Sequence, residues 1–207
     1  MENQEYKKFY NRLKILDGKD LIENYLVYNL STVISKVKPS VTITIHKNHY
    51  TLFEAWKKHG AKFVEELGLE YLDLRDCKRI LIVLVYDKQI IEECISYKDN
   101  KEFLISIGYP KENDPYINLY LLKKRYSIYN CPHEIGIFLG IPIEDVKDFI
   151  ECGEKKCILC KYWKVYNNYH EAKKIFNRYD KVKKHTVKHL LLGNKTLEVA
   201  DGLRNFF

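Results

Sequence analysis

Residues 80–86 read ILIVLVY, and the assignment of this run decides what must surround it. Seven consecutive apolar residues have the length of a strand and fall far short of the ~20 that cross a bilayer. The segment 79–86 is therefore read as a buried strand, which needs helices for cover. Two further segments have strand character: VTITIH at 41–46, which is β-branched, and CKYWKVY at 160–166. The three lie far apart, with helical patterns between them. Helices are expected over 2–15, 19–37, 52–67, 88–107 and 115–126. A helix pair follows, from Pro132 to Gly140 and from Pro142 to about Ile150, and a last helix runs from Asn168 to about 190. In the second helix Leu21, Ile22, Tyr25, Leu26, Leu30, Val33, Ile34 and Val37 recur at three- to four-residue spacing. The expected architecture is an α/β or α+β layer fold: a small mixed sheet covered by helices, helix-rich, in a single globular domain over 1–207.

With 46% hydrophobic and 30% charged residues the chain lies in the globular class. No repeat, low-complexity stretch or linker interrupts it. The opening MENQEYKKFYNRLK is polar and acid-containing, without the apolar segment of a secretion signal, so a cytoplasmic protein with no membrane association is expected. In that compartment the six cysteines are thiols or metal ligands rather than a disulfide framework. The net charge of +7 is carried by 29 Lys and only six Arg. Arginine makes most bidentate contacts to bases and phosphates, so its scarcity argues against nucleic acid as a partner. Residues 155–189 nevertheless hold eleven Lys or Arg against Glu171 and Asp180, a local +9. This is read first as a solvated helix face and second as an anion or RNA surface.

The stretch CPHEIGIFLGIPIEDVKDFIECGEKKCILCKYWKVY, residues 131–166, concentrates four of the six cysteines with a His-Glu pair and an aromatic run. Three chemistries compete for it. Its first half has the pattern of a helix-turn-helix, but the second helix carries Glu144, Asp145, Asp148 and Glu151 against Lys147 and would be repelled by a polyanion. The helix pair is therefore read as structure. For metal, Cys152, Cys157 and Cys160 have the C-x4-C-x2-C spacing of a two-iron ferredoxin loop, but no fourth cysteine follows; Cys131-Pro132 offers a weaker haem thiolate. For acid-base chemistry, His133 and Glu134 fall in a helix first turn, where free N–H groups and the dipole attract anions and activate a thiol. A first-turn Glu is as readily a cap. His185 and His189, spaced i,i+4, could bind metal but are read as decorating the last helix.

The segments PHEIGIFLGIPIEDVKDFIE and CKYWKVY, with the aromatic-basic helix after them, resemble the clostridial family catalogued as domain of unknown function 3793. The resemblance extends to Lys38-Pro39, to Gly108-Tyr109-Pro110, and to Ala172, Phe176 and Tyr179. It implies an intracellular α/β protein of anaerobes and assigns no activity. Cys160 matches the family cysteine before Tyr-Trp-Lys-Val-Tyr, with Lys161 in place of the usual Gly. Cys131 stands where the family has Phe and Cys157 where it has Tyr, which weakens both the iron-sulfur and the haem readings.

The leading reading is an uncharacterised protein that binds a small anionic ligand or performs thiol chemistry. Cys160 would be the thiol, His133 its base and Glu134 the group orienting the histidine. Lys38, Lys164, Tyr166 and Trp163 are the ligand-binding candidates. The alternatives are a nucleic-acid or protein adaptor using the basic 155–189 face, with Tyr162, Trp163 and Tyr169 for stacking, and a metal protein through Cys152, Cys157 and Cys160. The sequence identifies no cofactor.

Overall fold

The computed structural model describes residues 2–112, 114–151 and 155–207. The apolar run is β3 (Ile80–Tyr86), the middle strand of a sheet of order β1-β3-β2; β1 (Ser40–His46) and β2 (Glu70–Asp76) are both antiparallel to it. Alternate side chains of β3 enter different cores. Leu81, Val83 and Val85 meet Ile43 and Ile45 of β1 and a first helical layer. That layer comprises α1 (Glu2–Ile15), α2 (Gly18–Ile34), α4 (Ala61–Glu66), α10 (Tyr169–Leu191) and α11 (Thr196–Arg204). On the other face Leu84, Tyr86 and the partly buried Ile82 meet Leu72 and Leu74 of β2. This second layer comprises α5 (Lys88–Ser96), α6 (Lys98–Ser106), α7 (Pro115–Tyr129), α8 (Ile135–Phe138) and α9 (Ile143–Glu151). A central strand covered on both faces can be apolar at every position, which explains its lack of alternation. Each such buried aliphatic side chain contributes about 1.5–3 kcal/mol.

The α/β layer arrangement agrees with the sequence; several details differ. The sheet is antiparallel throughout rather than mixed; for β2 and β3 this follows from the short turn 77–79 that joins them, a connection open only to antiparallel neighbours. β2 itself has no counterpart among the expected strands: EYLDLRD carries four charged residues, tolerated because an edge strand buries only one side. The 52–67 helix contains a π-helical turn at Trp56–Gly60 between α3 (Tyr50–Ala55) and α4. The 88–107 helix is divided at Tyr97, whose ψ of 133° is extended. α11 lies beyond the expected last helix.

CKYWKVY is a hairpin rather than one strand, with β4 (Leu159–Cys160) paired to β5 (Lys164–Val165) across the turn 161–163. Trp163 and Val165 of this hairpin pack on Ala172, Phe176 and Tyr179 of α10 as a third small core. The α10 periodicity predicts its outward lysines correctly: Lys173, Lys174, Lys181 and Lys184 are all exposed.

Candidate functional site

Segments of the 131–166 motif and of its distant matches converge on α8. Gly140 adopts φ 73°, and a Cβ there would stand 2.6 Å from Pro39 Cδ, so glycine is required twice over. A Cβ on Gly136 would stand 2.7 Å from a methyl of Val146, which lets α8 approach α9 closely. Ser40 Oγ donates to the Phe138 carbonyl at 2.6 Å, tying β1 to α8. The helix opening at Pro132 is shorter than expected, since regular helix starts only at Ile135 and lasts four residues. That removes the helix-turn-helix shape and leaves no sustained dipole at His133.

Glu134 is 4% exposed; its carboxylate pairs with the Arg125 guanidinium and accepts from the Tyr109 hydroxyl at 3.3 Å. It is thus committed to Arg125 and Tyr109 rather than to orienting His133, as expected of a buried carboxylate beside a guanidinium. A second carboxylate, Asp145 of α9, is 3% exposed and acts as the anchor of the hairpin. It accepts from Trp163 Nε1 at 2.8 Å, from the Tyr166 and Asn167 backbone N–H groups at 2.9 and 3.1 Å, and from Asn167 Nδ2 at 3.0 Å. Sequence reasoning saw Asp145 only as one acid of a charged helix. It missed Arg125 too, although one of only six arginines in so lysine-rich a chain is a usable signal.

With both carboxylates satisfied, the polar groups left at the surface are His133, Cys131 and Lys164, all exposed. The His133 ring meets the Phe149 ring edge-on at 5.0 Å, and the Lys164 ammonium lies 5.5 Å from the same ring. They border a cleft of about 240 Å³ whose walls include Ile135, Ile141, Val146, Phe149 and Trp163. Cys131 and His133 also line a wider cleft of about 550 Å³, with Arg125, Tyr129, Glu134 and Glu151. The chain reaches this shared wall through a tight turn: Asn130 has φ 62° and ψ −46°, and the Cys131 N–H donates to the Tyr129 carbonyl at 2.7 Å. Such three-residue turns are strained, and Arg75 steadies this one by donating to Asn130 Oδ1 at 2.8 Å.

The remaining sequence candidates divide. Trp163 lines the smaller cleft, 8% exposed, its ring 4.4 Å from Phe176. Cys160 is exposed on β4, paired in register with Lys164, and lines neither cleft around His133. Tyr166 is buried and lines neither. Lys38 sits apart from the cleft, against Tyr179 of α10. Cys157 is half-buried before β4, and Cys152 lies outside the described residues. Among the described residues no three His, Cys, Asp or Glu side chains converge as a metal would require. The His185 and His189 rings stand 4.2 Å apart beside Phe206. Of the three stacking candidates only Tyr169 is exposed: Trp163 is buried, and the half-buried Tyr162 donates to Asp180 at 2.9 Å.

Two other thiols differ in character. Cys94 donates to the Ile137 carbonyl at 3.3 Å, and burial pushes its thiol up to about 11, as for an inert structural cysteine. Cys77, exposed in the β2–β3 turn, is held below the ordinary thiol value by the backbone N–H groups of Arg79 and Ile80.

No helix of the described residues is long and apolar enough to cross a membrane. No curated protein and no solved structure matches the chain. Residues 26–200, from within α2 into α11, match the family model described as "Protein of unknown function (DUF3793)", and the chain belongs to that family.

Proposed function

We propose that the protein binds a small anion with an apolar body in the cleft between α8, α9 and the hairpin. The observation that carries this reading is the pairing of aliphatic and aromatic walls with a cationic mouth: Lys164 and His133 flank Phe149, while the nearby carboxylates are already occupied. Sites of this kind bury a ligand's apolar part and use a few polar groups to fix its orientation. Trp163 is held against the cleft by Asp145 and serves as a built-in reporter.

The test uses two probes of the same shape, anilinonaphthalene sulfonate and the uncharged N-phenylnaphthylamine. The sulfonate should bind saturably, and Lys164→Met should weaken it about tenfold, near 1.4 kcal/mol, while leaving the uncharged probe unaffected. Equal binding of both probes by both proteins would defeat the reading.

Thiol-dependent chemistry is the second reading, supported by the position of Cys160 opposite Lys164 in the hairpin and by Cys131 lining the cleft beside His133. It predicts that Cys160→Ser and His133→Ala lose pH-dependent alkylation in parallel; if only Cys131→Ser removes it, the thiol is Cys131.

A further inference from the structure

Lys38 was expected at the anionic site with Lys164, but it faces a different partner. The turn between α2 and β1 fixes it. Lys36 adopts φ 58°, the Val37 and Lys38 N–H groups both donate to the Thr32 carbonyl at 3.1 Å, and Pro39 is wedged against Gly140 while its carbonyl accepts from the Asp87 N–H at 3.0 Å. From this pinned backbone the Lys38 side chain enters the space between α2 and α10, with its ammonium 6.0 Å from the Tyr179 ring. Lys183, one turn beyond Tyr179 on α10, lies there too, with its ammonium 4.5 Å from the Tyr28 ring.

Neither lysine forms an ion pair among the described residues. Among the described residues the carboxylate that acts on Lys183 is Asp180, already held by the Lys161 ammonium and the Tyr162 hydroxyl. Among the described residues, three ammonium groups therefore stand against one carboxylate, an excess of two positive charges in a setting built largely of tyrosine rings. Burial pushes both ammonium groups down to about 8, with Lys183 adding to the effect at Lys38 and Asp180 opposing it at Lys183. Aromatic faces return part of this cost to an ammonium within 6 Å of a ring. Lys183 meets that geometry well; Lys38 is at its limit. A pair of desolvated like charges is disfavoured unless an opposite charge joins them. Lys38, Lys183, Asp180 and Tyr162 are all partly exposed, so such a charge can arrive from solvent.

We infer that Lys38 and Lys183 form a second, independent ligand site, which takes a small soluble phosphate. Two unbalanced charges match the dianion of a phosphate monoester better than a single carboxylate, since a phosphoryl group carries −1.5 to −2 near neutral pH. A rigid turn carrying one cation and a helix carrying the other leave little to order on binding. The site stands whether or not the cleft at His133 binds its own ligand.

The experiment is calorimetric titration of the full chain with inorganic phosphate and with phenyl phosphate, at constant ionic strength near neutral pH. Wild type is compared with Lys38→Met, Lys183→Met and Lys181→Met, the last an exposed lysine of the same helix. Saturable one-to-one binding in wild type and Lys181→Met, weakened tenfold or more in the other two, is the expected result. Absence of saturable heat in wild type would overturn the inference. So would unchanged affinity in Lys38→Met and Lys183→Met, or equal loss in Lys181→Met. Cosedimentation with phosphatidic acid vesicles, without response to either soluble probe, would assign the cations to a lipid surface and likewise overturn it. Should Lys38→Met fail to fold, Lys183→Met carries the same comparison.

Discussion

The buried carboxylates and the half-buried ammonium groups of this protein are treated in opposite ways. Asp145 receives four hydrogen bonds and Glu134 a guanidinium and a phenol, so each is neutralised or fully solvated by protein. Lys38 and Lys183 receive aromatic rings and each other. The difference teaches how to separate frame from candidate site: a buried charge whose partners are complete holds the fold, and a desolvated one without an ion-pair partner is where a ligand is worth testing for.

The largest effect should come from Asp145→Ala, which strands four donors and frees the hairpin. A loss of about 3–4 kcal/mol is expected, read from urea unfolding together with a red shift of Trp163 emission. A loss below about 1 kcal/mol would mean that water replaces the carboxylate and the frame reading is wrong. Glu134→Gln should come next, at about 2–3 kcal/mol, because Arg125 is left without its counter-charge. Its effect and that of Arg125→Met should be strongly non-additive in a double-mutant cycle.

For the lysines the sign reverses. Lys38→Met should raise stability in phosphate-free buffer by about 1 kcal/mol, since it deletes a desolvated cation that has no carboxylate. The pH dependence follows the same logic. Both ammonium groups titrate at about 8 in the folded protein and near 10.5 when unfolded. Between these values the unfolded chain binds more protons, so stability rises with pH. Below about 8 both states are protonated and the desolvation cost is present in full. Above about 10 the slope turns back, because burial holds the Tyr28 and Tyr162 hydroxyls above the ordinary tyrosine value of 10.0. Thermal melts across this range should show the rise in wild type and its loss in the Lys38→Met, Lys183→Met double variant. The smallest effect belongs to Lys164→Met: exposed and outside any ion pair among the described residues, it should change stability by less than about 0.5 kcal/mol while weakening the anionic probe.

The parts of this fold legible in sequence are those where one periodicity dominates. β3 is apolar throughout, α2 repeats its buried positions every turn, and α10 alternates Phe176, Tyr179 and Val182 with outward lysines. β2 was not legible because its four charges are those of an edge, and the 160–166 hairpin because so short a segment shows no alternation that distinguishes one strand from two. Within the site, His133, Trp163 and Lys164 were legible from the motif and line one cleft, as does Cys131, which the sequence offered only as a metal ligand. Glu134 looked like an acid-base group because first-turn acids usually face outward; its burial depends on Arg125 and Tyr109, which nothing nearby in the chain announces. Lys183 was hidden among eleven basic residues of 155–189, although its place beside Val182 and four residues after Tyr179 marks the border of the buried face.

The two layers on either side of β3 also differ in how much of the chain each must wait for. The second core draws its residues from the continuous stretch between Leu72 and Val146. The first joins Phe9, near one end, to Val199 and Leu203 of α11. On the ribosome the second core can close while α10 and α11 are still unmade, whereas the first stays open until α11 has emerged. Until then the core around Leu81, Val83 and Val85 lacks the apolar residues of α10 and α11, the interval in which a nascent chain most needs a chaperone.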